Sequence, residues 1–438
     1  MHSVFKLSSS RAALLAAFAL AAGFTPAAAA DLGGDCCADL EERVAELEAT
    51  TARKGNRKVS LTVSGWVNEA VFWWDDGSDS NVYVGTNALE QSRFRFTGEA
   101  KIVDGWSAGY TLEIGVVGAP SNKWDQTTPG STDTKTPDNS LVVRKSNWWL
   151  KSKQYGKLTV GQEGTATYHL LDDADGANTR NYSDAEAAAV AQGRFLLKSG
   201  GFKVNDLRWN DVLRGVNNGT EGQNGRRNIV RYDSPDIMGF VVTASWGEDD
   251  QAGVSLTYKN TFGDFKVLAR GGWEKSTDEN LTGCAPFSAT GSGEDCEWWG
   301  GAATVMHVPT GLYVYGGYGQ TIDHDVQNLN PTADDTSDMW FVQGGIEKKF
   351  IPLGNTTVFG EYRHDEVGSR PGKSTGGPGY VHDGNFDFWA AGVVQNIEAA
   401  AMDLYVIYRH ADGSLTTTSK NYPIDDFDMV ISGARIQF

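Results

Sequence analysis

The chain has 438 residues, 21% of them charged, and a formal net charge of −18. This acid excess argues against a nucleic-acid partner, which requires a basic face, and no cluster of Lys and Arg interleaved with aromatic residues offsets it. Gly is abundant at 52 residues and Pro is scarce at 12, a balance that suits strands joined by tight turns.

Residues 1–30 predict a secretory signal peptide. Lys6 and Arg11 form its positive region, residues 12–24 form its apolar core, and residues 28–30 give the small-residue cleavage site. The apolar run is too short to anchor the chain as a membrane-spanning helix. Since no later segment has the length of such a helix, the sequence predicts either a soluble secreted protein or a β-barrel.

Residues 31–57 predict an N-terminal periplasmic segment with a short coiled-coil helix. Within 39–51, Leu40, Val44 and Leu47 fall at d, a and d spacing among charged residues. Two heptads are marginal on their own. The helix therefore either joins a small bundle contributed by several subunits or remains a solvated helix.

From residue 58 to the end, apolar and polar residues alternate with the period of a β-strand. In the last stretch, Val430, Ser432, Ala434, Ile436 and Phe438 share one face. Sixteen strand candidates follow in order: 58–73, 92–103, 106–117, 141–151, 157–163, 227–233, 238–247, 254–262, 265–274, 298–308, 312–319, 339–350, 356–365, 386–397, 402–410 and 430–438. The predicted fold is all-β, a 16-stranded antiparallel transmembrane β-barrel over residues 58–438 with a short N-terminal periplasmic helix.

The connections between these candidates sort by length. Every second one is short, whereas the others are mostly long: 74–91, 118–140, 164–226, 275–297, 320–338, 366–385 and 411–428. Only 248–253 breaks the pattern. A barrel with short periplasmic turns and long outer loops sorts its connections in this way, whereas a sandwich does not and a propeller would show a repeat of about 40 residues.

Alternation also predicts which side of the wall each residue faces. Apolar faces should meet lipid or a neighbouring subunit, and polar faces should line a lumen. Aromatic residues should form an outer belt at the loop ends, namely Trp246, Trp273, Trp298 or Trp299, and Trp340, and an inner belt at the turn ends, namely Trp106, Phe265, Phe350 and Phe438. The candidate 141–151 departs from this rule because residues 143–147 carry charge on both faces, which predicts that this wall packs on another subunit.

The longest connection, 164–226, is predicted to be a pore-constricting loop, because loops of this length are usually functional or disordered. A capping box before an alanine run predicts a short helix at 183–190. The loop's acidic residues do not complete a calcium loop, because position twelve is Tyr182. They either form a solvated acidic loop or face the pore, and the candidate constriction residues are Asp172, Asp173, Asp175, Asp184 and Glu186.

Basic residues recur on the predicted inner faces of the strands. The candidate pore-wall residues are Arg93, Arg95, Arg231, Arg270, Arg363, Arg409 and Arg435. As a set they favour a water-filled channel, because a filled core does not accommodate so many charges. If the long loop folds inward, its carboxylates would face these arginines and create a transverse field that filters solutes by size and charge.

The four cysteines form two pairs. Cys284 and Cys296 bracket a Gly- and Ser-rich stretch and are predicted to form a disulfide in an oxidising compartment, in preference to a metal site. Cys36 and Cys37 are adjacent, and cross-links between subunits are one hypothesis for them. No metal, cofactor or enzyme motif is present: the sequence has no G-x-S-x-G, H-E-x-x-H, P-loop or dinucleotide fingerprint, and the histidines are scattered.

The chain resembles the trimeric porins of Gram-negative bacteria, most closely the general porins of alphaproteobacteria. The resemblance rests on Lys58-Val59-Ser60-Leu61-Thr62-Val63-Ser64-Gly65, on Tyr155-Gly156-Lys157-Leu158-Thr159-Val160-Gly161-Gln162, and on the terminal Phe438. It implies a homotrimer in outer-membrane lipid, a third loop folded into the pore, and recognition of the terminal strand by the barrel assembly machinery. The chain lacks the Pro-Glu-Phe-Gly-Gly loop tip of enterobacterial porins and carries the additional heptad at 39–51.

These observations predict an outer-membrane porin for passive diffusion of ions and small hydrophilic solutes. One alternative is a substrate-selective channel for sugar or phosphate. A sugar channel needs an aromatic slide along the lumen, and Trp66, Tyr405 and Trp389 are too few to build one. The other alternative is a barrel without a channel, either an enzyme or an adhesin.

Overall fold

A computed structural model describes residues 58–127, 140–179, 182, 193–213, 225–247, 250–277, 295–324, 326–329, 331–369, 381–418 and 420–438. Outside these residues lie the predictions for 1–57, including the coiled-coil helix, Cys36 and Cys37, and those for the helix at 183–190, Asp184, Glu186 and Cys284. No helix in the described ranges is long and apolar enough to cross a membrane.

Antiparallel strands make up nearly all of the described chain. They are β1 (Thr62–Asp75), β2 (Ser80–Thr86), β3 (Arg93–Val103), β4 (Trp106–Val117), β5 (Ser140–Ser152), β6 (Gly156–Gly164), β7 (Leu196–Ser199), β8 (Phe202–Arg208), β9 (Arg226–Asp233), β10 (Phe240–Gly247), β11 (Gln251–Phe262), β12 (Phe265–Ser276), β13 (Cys296–His307), β14 (Leu312–Asp323), β15 (Thr336–Ile351), β16 (Gly354–Val367), β17 (Val381–Ile397), β18 (Met402–Thr417) and β19 (Asn421–Gln437). Two short helices, α1 (Trp209–Val212) and α2 (Val326–Leu329), lie in the connections.

The sheet closes where the last strand pairs with the first. The register of β1 with β19 runs from Trp66↔Gln437 to Asp75↔Asp428. At the end of the chain, the Gly65 N–H donates to the Phe438 carbonyl at 2.9 Å and the Phe438 N–H donates to the Gly65 carbonyl at 3.0 Å. Closure leaves no free sheet edge in lipid, as a transmembrane sheet requires.

The barrel has sixteen strand positions, as predicted. Strand β2 is an additional piece: β1 pairs with β3 at its start, from Thr62↔Thr97 to Trp66↔Arg93, and with β2 further along, from Glu69↔Thr86 to Asp75↔Ser80. Strands β2 and β3 thus share one position beside β1. Strands β7 and β8 form a separate two-stranded hairpin within the longest connection.

Loop lengths follow the predicted parity, with one correction. The connection predicted as a long loop at 411–428 is mostly strand, because β18 continues to Thr417 and β19 begins at Asn421. The pairing shifts register between Ala411 and Gly413 and then continues to Thr416↔Asn421. The alternation in these residues is weak, which is why the sequence pattern stopped short of this hairpin.

Side chains alternate between the two faces of the wall. On β1, Val63, Val67 and Val71 are exposed on the outer face, whereas Asn68 and Phe72 are fully buried on the inner face. The outer aromatic belt includes exposed Trp246, Trp299 and Trp340, whereas Trp298 is buried; exposed Phe265, Phe350 and Phe438 lie at the turn ends. Trp389 is also exposed on the outer face, so it does not contribute to the lumen.

The charged stretch in β5 has a local explanation that the sequence pattern missed. The pairing of β4 with β5 shifts register between Glu113↔Lys145 and Ile114↔Val143, which leaves Arg144 as a bulged residue. Arg144 is buried against Glu113, and Lys145 reaches Glu163. Both charges therefore find inner acidic partners, and the hypothesis of a subunit contact at this stretch loses its support.

The inner face of β13 to β19 carries apolar side chains as well as the predicted polar ones. The inner faces of β13 to β19 carry a row of buried apolar side chains, among them Tyr315, Phe341, Phe359, Ile407 and Ile431. Apolar residues of the long connection belong to the same buried cluster, namely Leu170, Leu171, Ala174, Phe195, Leu197 and Trp209. The described part of the connection is thus held inside the barrel by burial of apolar surface.

We expect Val406→Arg to destabilise the barrel, because Val406 is 42% exposed on the outer face of β18. A charge on the lipid face costs about 2–4 kcal/mol near mid-depth. Urea unfolding in lipid vesicles measures the loss, with Val406→Leu as the control that keeps an apolar surface. Equal stability of the two variants would contradict the assigned orientation of β18.

Candidate functional site

A polar cavity of about 310 Å³ lies between one half of the barrel wall and the start of the long connection. We call it the polar chamber, and its lining residues are Trp66, Glu90, Arg93, Arg95, Glu113, Lys145, Lys157, Thr159, Glu163, Tyr168, His169, Asp173, Arg231, Asp233 and Arg270. They come from β1, β3 to β6, β9 and β12, from the connection after β6 and, for Glu90, from the residues between β2 and β3. Four of the seven predicted wall arginines are among them.

Glu113 on β4 is the acidic centre of this wall. Its side chain is fully buried and accepts hydrogen bonds from Arg95 Nε at 2.6 Å and from Arg144 Nε at 2.9 Å, while Arg93 Nη1 lies 3.4 Å away. Arg93 also lies 3.0 Å from Glu90. One carboxylate therefore serves three guanidinium groups, which is the kind of buried network that is stable only when every charge has a partner.

Trp66 provides an aromatic surface beside the same arginines. The guanidinium carbons of Arg93, Arg95 and Arg435 lie 4.5, 5.9 and 5.8 Å from its ring centroid. The Trp66 indole N–H donates to the Gln91 carbonyl at 3.0 Å, which fixes the ring. Cation–π attraction of this kind holds guanidinium groups in place without neutralising them.

The neighbouring strands repeat the arrangement with a second carboxylate. Glu163 at the end of β6 lies 2.5 Å from Lys145 Nζ and accepts hydrogen bonds from Asn147 Nδ2 at 2.9 Å and from the Gly164 N–H at 2.8 Å. The Lys145 side chain is 24% exposed, whereas the Glu163 side chain is 11% exposed. A cation therefore faces the chamber while its carboxylate lies behind it.

Arg231 on β9 positions the beginning of the long connection. Its Nη1 donates to the carbonyls of Gly164 at 3.0 Å and Thr165 at 3.1 Å, while its Nη2 lies 2.8 Å from Asp233 Oδ1. The adjacent backbone is held by the Ser245 hydroxyl, which accepts from the Ala166 N–H at 2.9 Å. The connection is thus fixed to the wall where it leaves β6.

Arg270 on β12 makes the predicted contact between a wall arginine and a loop carboxylate. Its Nη1 lies 2.6 Å from Asp173 Oδ2 and donates to the His169 carbonyl at 2.9 Å. The other two described candidate constriction residues contact their own segment: Asp172 binds His169 Nδ1, and Asp175 accepts from the Ala177 N–H at 2.8 Å. These contacts give Asp172 and Asp175 a role in shaping the loop.

The segment then crosses to the opposite wall. Asn178 donates through its backbone N–H to Glu347 at 2.7 Å and through its side chain to Asp403 at 3.0 Å. The Tyr182 hydroxyl donates to Asp403, and its ring stacks on Tyr405 with centroids 4.5 Å apart. The connection therefore spans the barrel interior from β6 and β12 to β15 and β18.

The remaining predicted wall arginines lie on this opposite wall, where each meets an acid of the wall. Arg363 lies 2.6 Å from Asp365, and both side chains are buried. Arg409 lies 3.3 Å from Glu361, and Arg435 lies 3.3 Å from Asp403. The structure brings Arg435 near the chamber through Trp66 but places Arg363 and Arg409 outside the chamber lining.

Sequence reasoning missed four acidic residues of the chamber, its two lysines and the adjacent Arg144. Glu113, Glu163 and Asp233 sit at inner-face positions of β4, β6 and β9, so strand parity carried the signal. Arg144 and Lys145 are charged residues at successive positions of one strand. Such a pair indicates a bulge. The missed residues are Glu90, Glu113, Arg144, Lys145, Lys157, Glu163 and Asp233.

The hairpin of β7 and β8 is held at the loop end of the barrel by charged contacts. Lys198 Nζ lies 2.8 Å from Asp76 and 3.1 Å from Asp79. The Gly200 and Gly201 N–H groups each donate to Asp425 at 2.7 Å. Burial raises the pKa of Asp76, but hydrogen bonds from Lys198 and nearby backbone N–H groups outweigh it and hold the pKa below its usual 3.8.

Cys296 at the start of β13 is disulfide-bonded. Its predicted partner, Cys284, lies outside the described residues, so the pairing of the two stays a prediction.

A family model described as Gram-negative porin matches residues 13–421. Similar solved structures include the anion-selective porin from Comamonas acidovorans, 16% identical with a TM-score of 0.56, where the match covers 87% of this chain and 100% of that one. Another is in-vitro folded OmpT, an outer membrane protein of Vibrio cholerae. It is 16% identical with a TM-score of 0.52, and the match covers 88% of this chain and 99% of that one. The trimer form of OmpT is 16% identical with a TM-score of 0.51, and the match covers 87% of this chain and 99% of that one. No curated protein matches the chain.

We expect Glu113→Gln to destabilise the barrel, because the change leaves the buried Arg93 and Arg144 and the partly exposed Arg95 without their shared carboxylate. Breaking a buried ion pair costs about 3–5 kcal/mol. Urea unfolding measures the loss, and Glu99→Gln, an exposed position on the adjacent β3, is the control with an expected change within about 0.5 kcal/mol. Similar stability of the two variants would show that the arginine cluster does not depend on Glu113.

Acid should loosen the β7–β8 hairpin. Because the pKa of Asp76 is lowered, its contribution is present above the usual value of 3.8 and is lost as the pH falls through the lowered pKa. Hydrogen exchange of residues 196–208, corrected for intrinsic rates and followed from about pH 5 to about pH 2, should show falling protection. Lys198→Met should reduce protection at the upper end of this range and flatten the pH dependence. An unchanged pH dependence in that variant would contradict the assignment.

Proposed function

Because the chain belongs to the Gram-negative porin family, it forms an outer-membrane channel for passive diffusion, and we propose that the conduction path runs through the polar chamber and prefers anions. Family and fold are those of a channel rather than an enzyme. The rest of the proposal rests on the charges of the described wall.

The observation that carries the proposal is the order of charges across the chamber wall. The Glu113 side chain is 0% exposed and that of Glu163 is 11% exposed, whereas their partners Arg95 and Lys145 are 33% and 24% exposed. Solute in the chamber therefore meets the cations before the carboxylates. The preference is local, since the chain as a whole carries a net charge of −18, and local charge decides which ions a pore concentrates.

The loop side supplies the opposing charge. Asp173 is 40% exposed and faces Arg270 across the start of the connection. A basic wall opposite a carboxylate creates the transverse field predicted from the sequence, here carried by Asp173 among the described loop acids. Asp184 and Glu186 stay predictions as further constriction residues. The similarity to a porin named as anion-selective agrees with the preference.

We expect the wild-type protein to be anion-selective in planar bilayers, with the sign of the reversal potential in a KCl gradient set by chloride. Lys145→Gln should lower this preference, because it removes a partly exposed cation of the chamber lining and leaves Glu163 without its ammonium partner. Asp264→Asn, in the short turn between β11 and β12, is the control and should leave the reversal potential unchanged. Cation selectivity of the wild type would contradict the proposed preference, and a barrel without current would contradict the channel and favour an adhesive barrel.

We also propose that the protein is a homotrimer. The similar OmpT structure is a trimer form, and exposed apolar side chains on β1 to β5, such as Val71, Val84, Leu112, Leu141 and Trp148, offer a surface for a neighbouring copy. Light scattering of the detergent-solubilised protein should give the mass of three chains. The mass of a single chain would contradict the proposed homotrimer.

The chain end is proposed as the signal for the barrel assembly machinery, with outer-membrane lipid around the finished barrel. Phe438 has a 61% exposed side chain at the turn end of the wall, and its backbone already pairs with Gly65. A deletion of Phe438 therefore removes both an accessible aromatic and part of the closing seam. Folding of the deletion variant into vesicles without cellular factors would separate these two contributions.

A further inference from the structure

At the turn end of the barrel, β5, β6 and β9 carry basic and polar side chains on one face, and Lys157, Thr159 and Arg231 of this group line the polar chamber. In the ladder of β5 with β6, Lys151 lies opposite Lys157 and Trp149 lies opposite Thr159. In the ladder of β6 with β9, Thr159 lies opposite Arg231. Directly opposite residues of an antiparallel pair point to the same face, with Cβ atoms roughly 4.5–5.5 Å apart. Because Lys157 and Thr159 line the chamber, this face is the inner one.

Neither Lys151 nor Lys157 makes a direct ion pair within the described residues, although Asp233 lies opposite Lys157 in the ladder of β6 with β9. The two acids nearest to Lys157 are engaged elsewhere: Asp233 holds Arg231 at 2.8 Å and accepts from the Thr243 hydroxyl at 2.8 Å, and Glu163 holds Lys145. Two like charges that face each other without a carboxylate between them repel, and a bound anion would relieve that repulsion.

Thr159 adds a second and independent observation. Its side chain is 1% exposed, it lines the chamber, and its hydroxyl has no hydrogen-bond partner in the described part of the chain. Buried hydroxyl groups are normally hydrogen-bonded, so this one is available to a ligand oxygen. Lys157 Nζ also lies 5.5 Å from the centre of the Trp149 ring, which places the ammonium group at this end of the chamber.

We propose that Lys151, Lys157 and Thr159 form a binding site for a tetrahedral oxyanion, with inorganic phosphate as the simplest representative. Lysine binds phosphate as a compact point charge, and a tetrahedral oxyanion has enough oxygens to contact two ammonium groups and a hydroxyl at once. The hydroxyl of Thr159 donates to one oxyanion oxygen, and the two ammonium groups supply the charge. The site deepens the proposed function, since it would give an anion-preferring channel a selective step for phosphate-bearing solutes.

The test measures the concentration of inorganic phosphate that halves the chloride current through single channels in planar bilayers. Lys157→Gln should raise this concentration about tenfold, the effect of losing one charge-assisted hydrogen bond. Thr159→Val, which keeps the shape and removes the hydroxyl, should raise it about threefold to fivefold. Lys153→Gln, in the exposed turn between the same two strands, is the matched control and should leave it unchanged. Acetate should block more weakly than phosphate in the wild type.

Equal half-blocking concentrations in the wild type, Lys157→Gln and Thr159→Val would overturn the site while leaving the anion-preferring channel intact. A wild type that carries no current would instead refute the proposed function. In that event, isothermal titration of phosphate into the purified protein decides the site: binding that Lys157→Gln weakens about tenfold supports it, and no binding to the wild type overturns it. Normal strand content and oligomer mass of each variant establish that it has folded.

Discussion

The structure depends on the closure of its sheet, because lipid offers no hydrogen-bond partners to an open edge. The seam is the long register between β1 and β19, completed by the mutual backbone hydrogen bonds of Gly65 and Phe438. Closure fixes which face of every strand is inside. All other features follow from that assignment, since a residue on the outer face must suit lipid and a residue on the inner face must find a polar partner or an apolar cover.

The interior divides into two halves with different chemistry. Strands β13 to β19 present buried apolar side chains beside the ion pairs of Arg363, Arg409 and Arg435, whereas β3 to β6, β9 and β12 present charged and polar side chains to the polar chamber. Burial of apolar surface holds the connection against β13 to β19. The interior beside the strands of the polar chamber therefore stays accessible to water and ions. Arg231 and Arg270 hold the beginning of the connection, and Asp403 holds Asn178 and Tyr182 across the barrel. The position of the polar chamber is therefore a consequence of apolar packing as much as of charge.

Much of the fold was predictable from the sequence, because a period of two is a local property. All sixteen wall strands fall where alternation places them, and the parity of loop lengths indicated a barrel. Strand β2 and the β7–β8 hairpin were missed because they are short pieces inside long connections. The hairpin of β18 and β19 was cut short because alternation is weak near Gly413 and the register shifts there.

The site was less predictable, because its partners are distant in the sequence. Parity identified Arg93, Arg95, Arg231 and Arg270 as inner residues, but not the carboxylates that each would meet. Glu113 and Arg144 are 31 residues apart and meet only because β5 contains a bulge. The charges on both faces of β5 led to the hypothesis of a subunit contact, and a register shift of one residue explains them instead. Such shifts depend on the pairing of whole strands, which one strand's sequence does not contain.

The most direct test of a conducting polar chamber is charge modification at Lys145, which lines it. With Cys36 and Cys37 replaced by Ser, Lys145→Cys would be treated with a negatively charged thiol reagent during single-channel recording, and Val406→Cys on the lipid face would be treated in the same way. If the chamber conducts, modification at position 145 reduces the current stepwise and shifts the reversal potential towards cations, while position 406 shows no change. Complete modification at position 145 with an unchanged current would contradict the account.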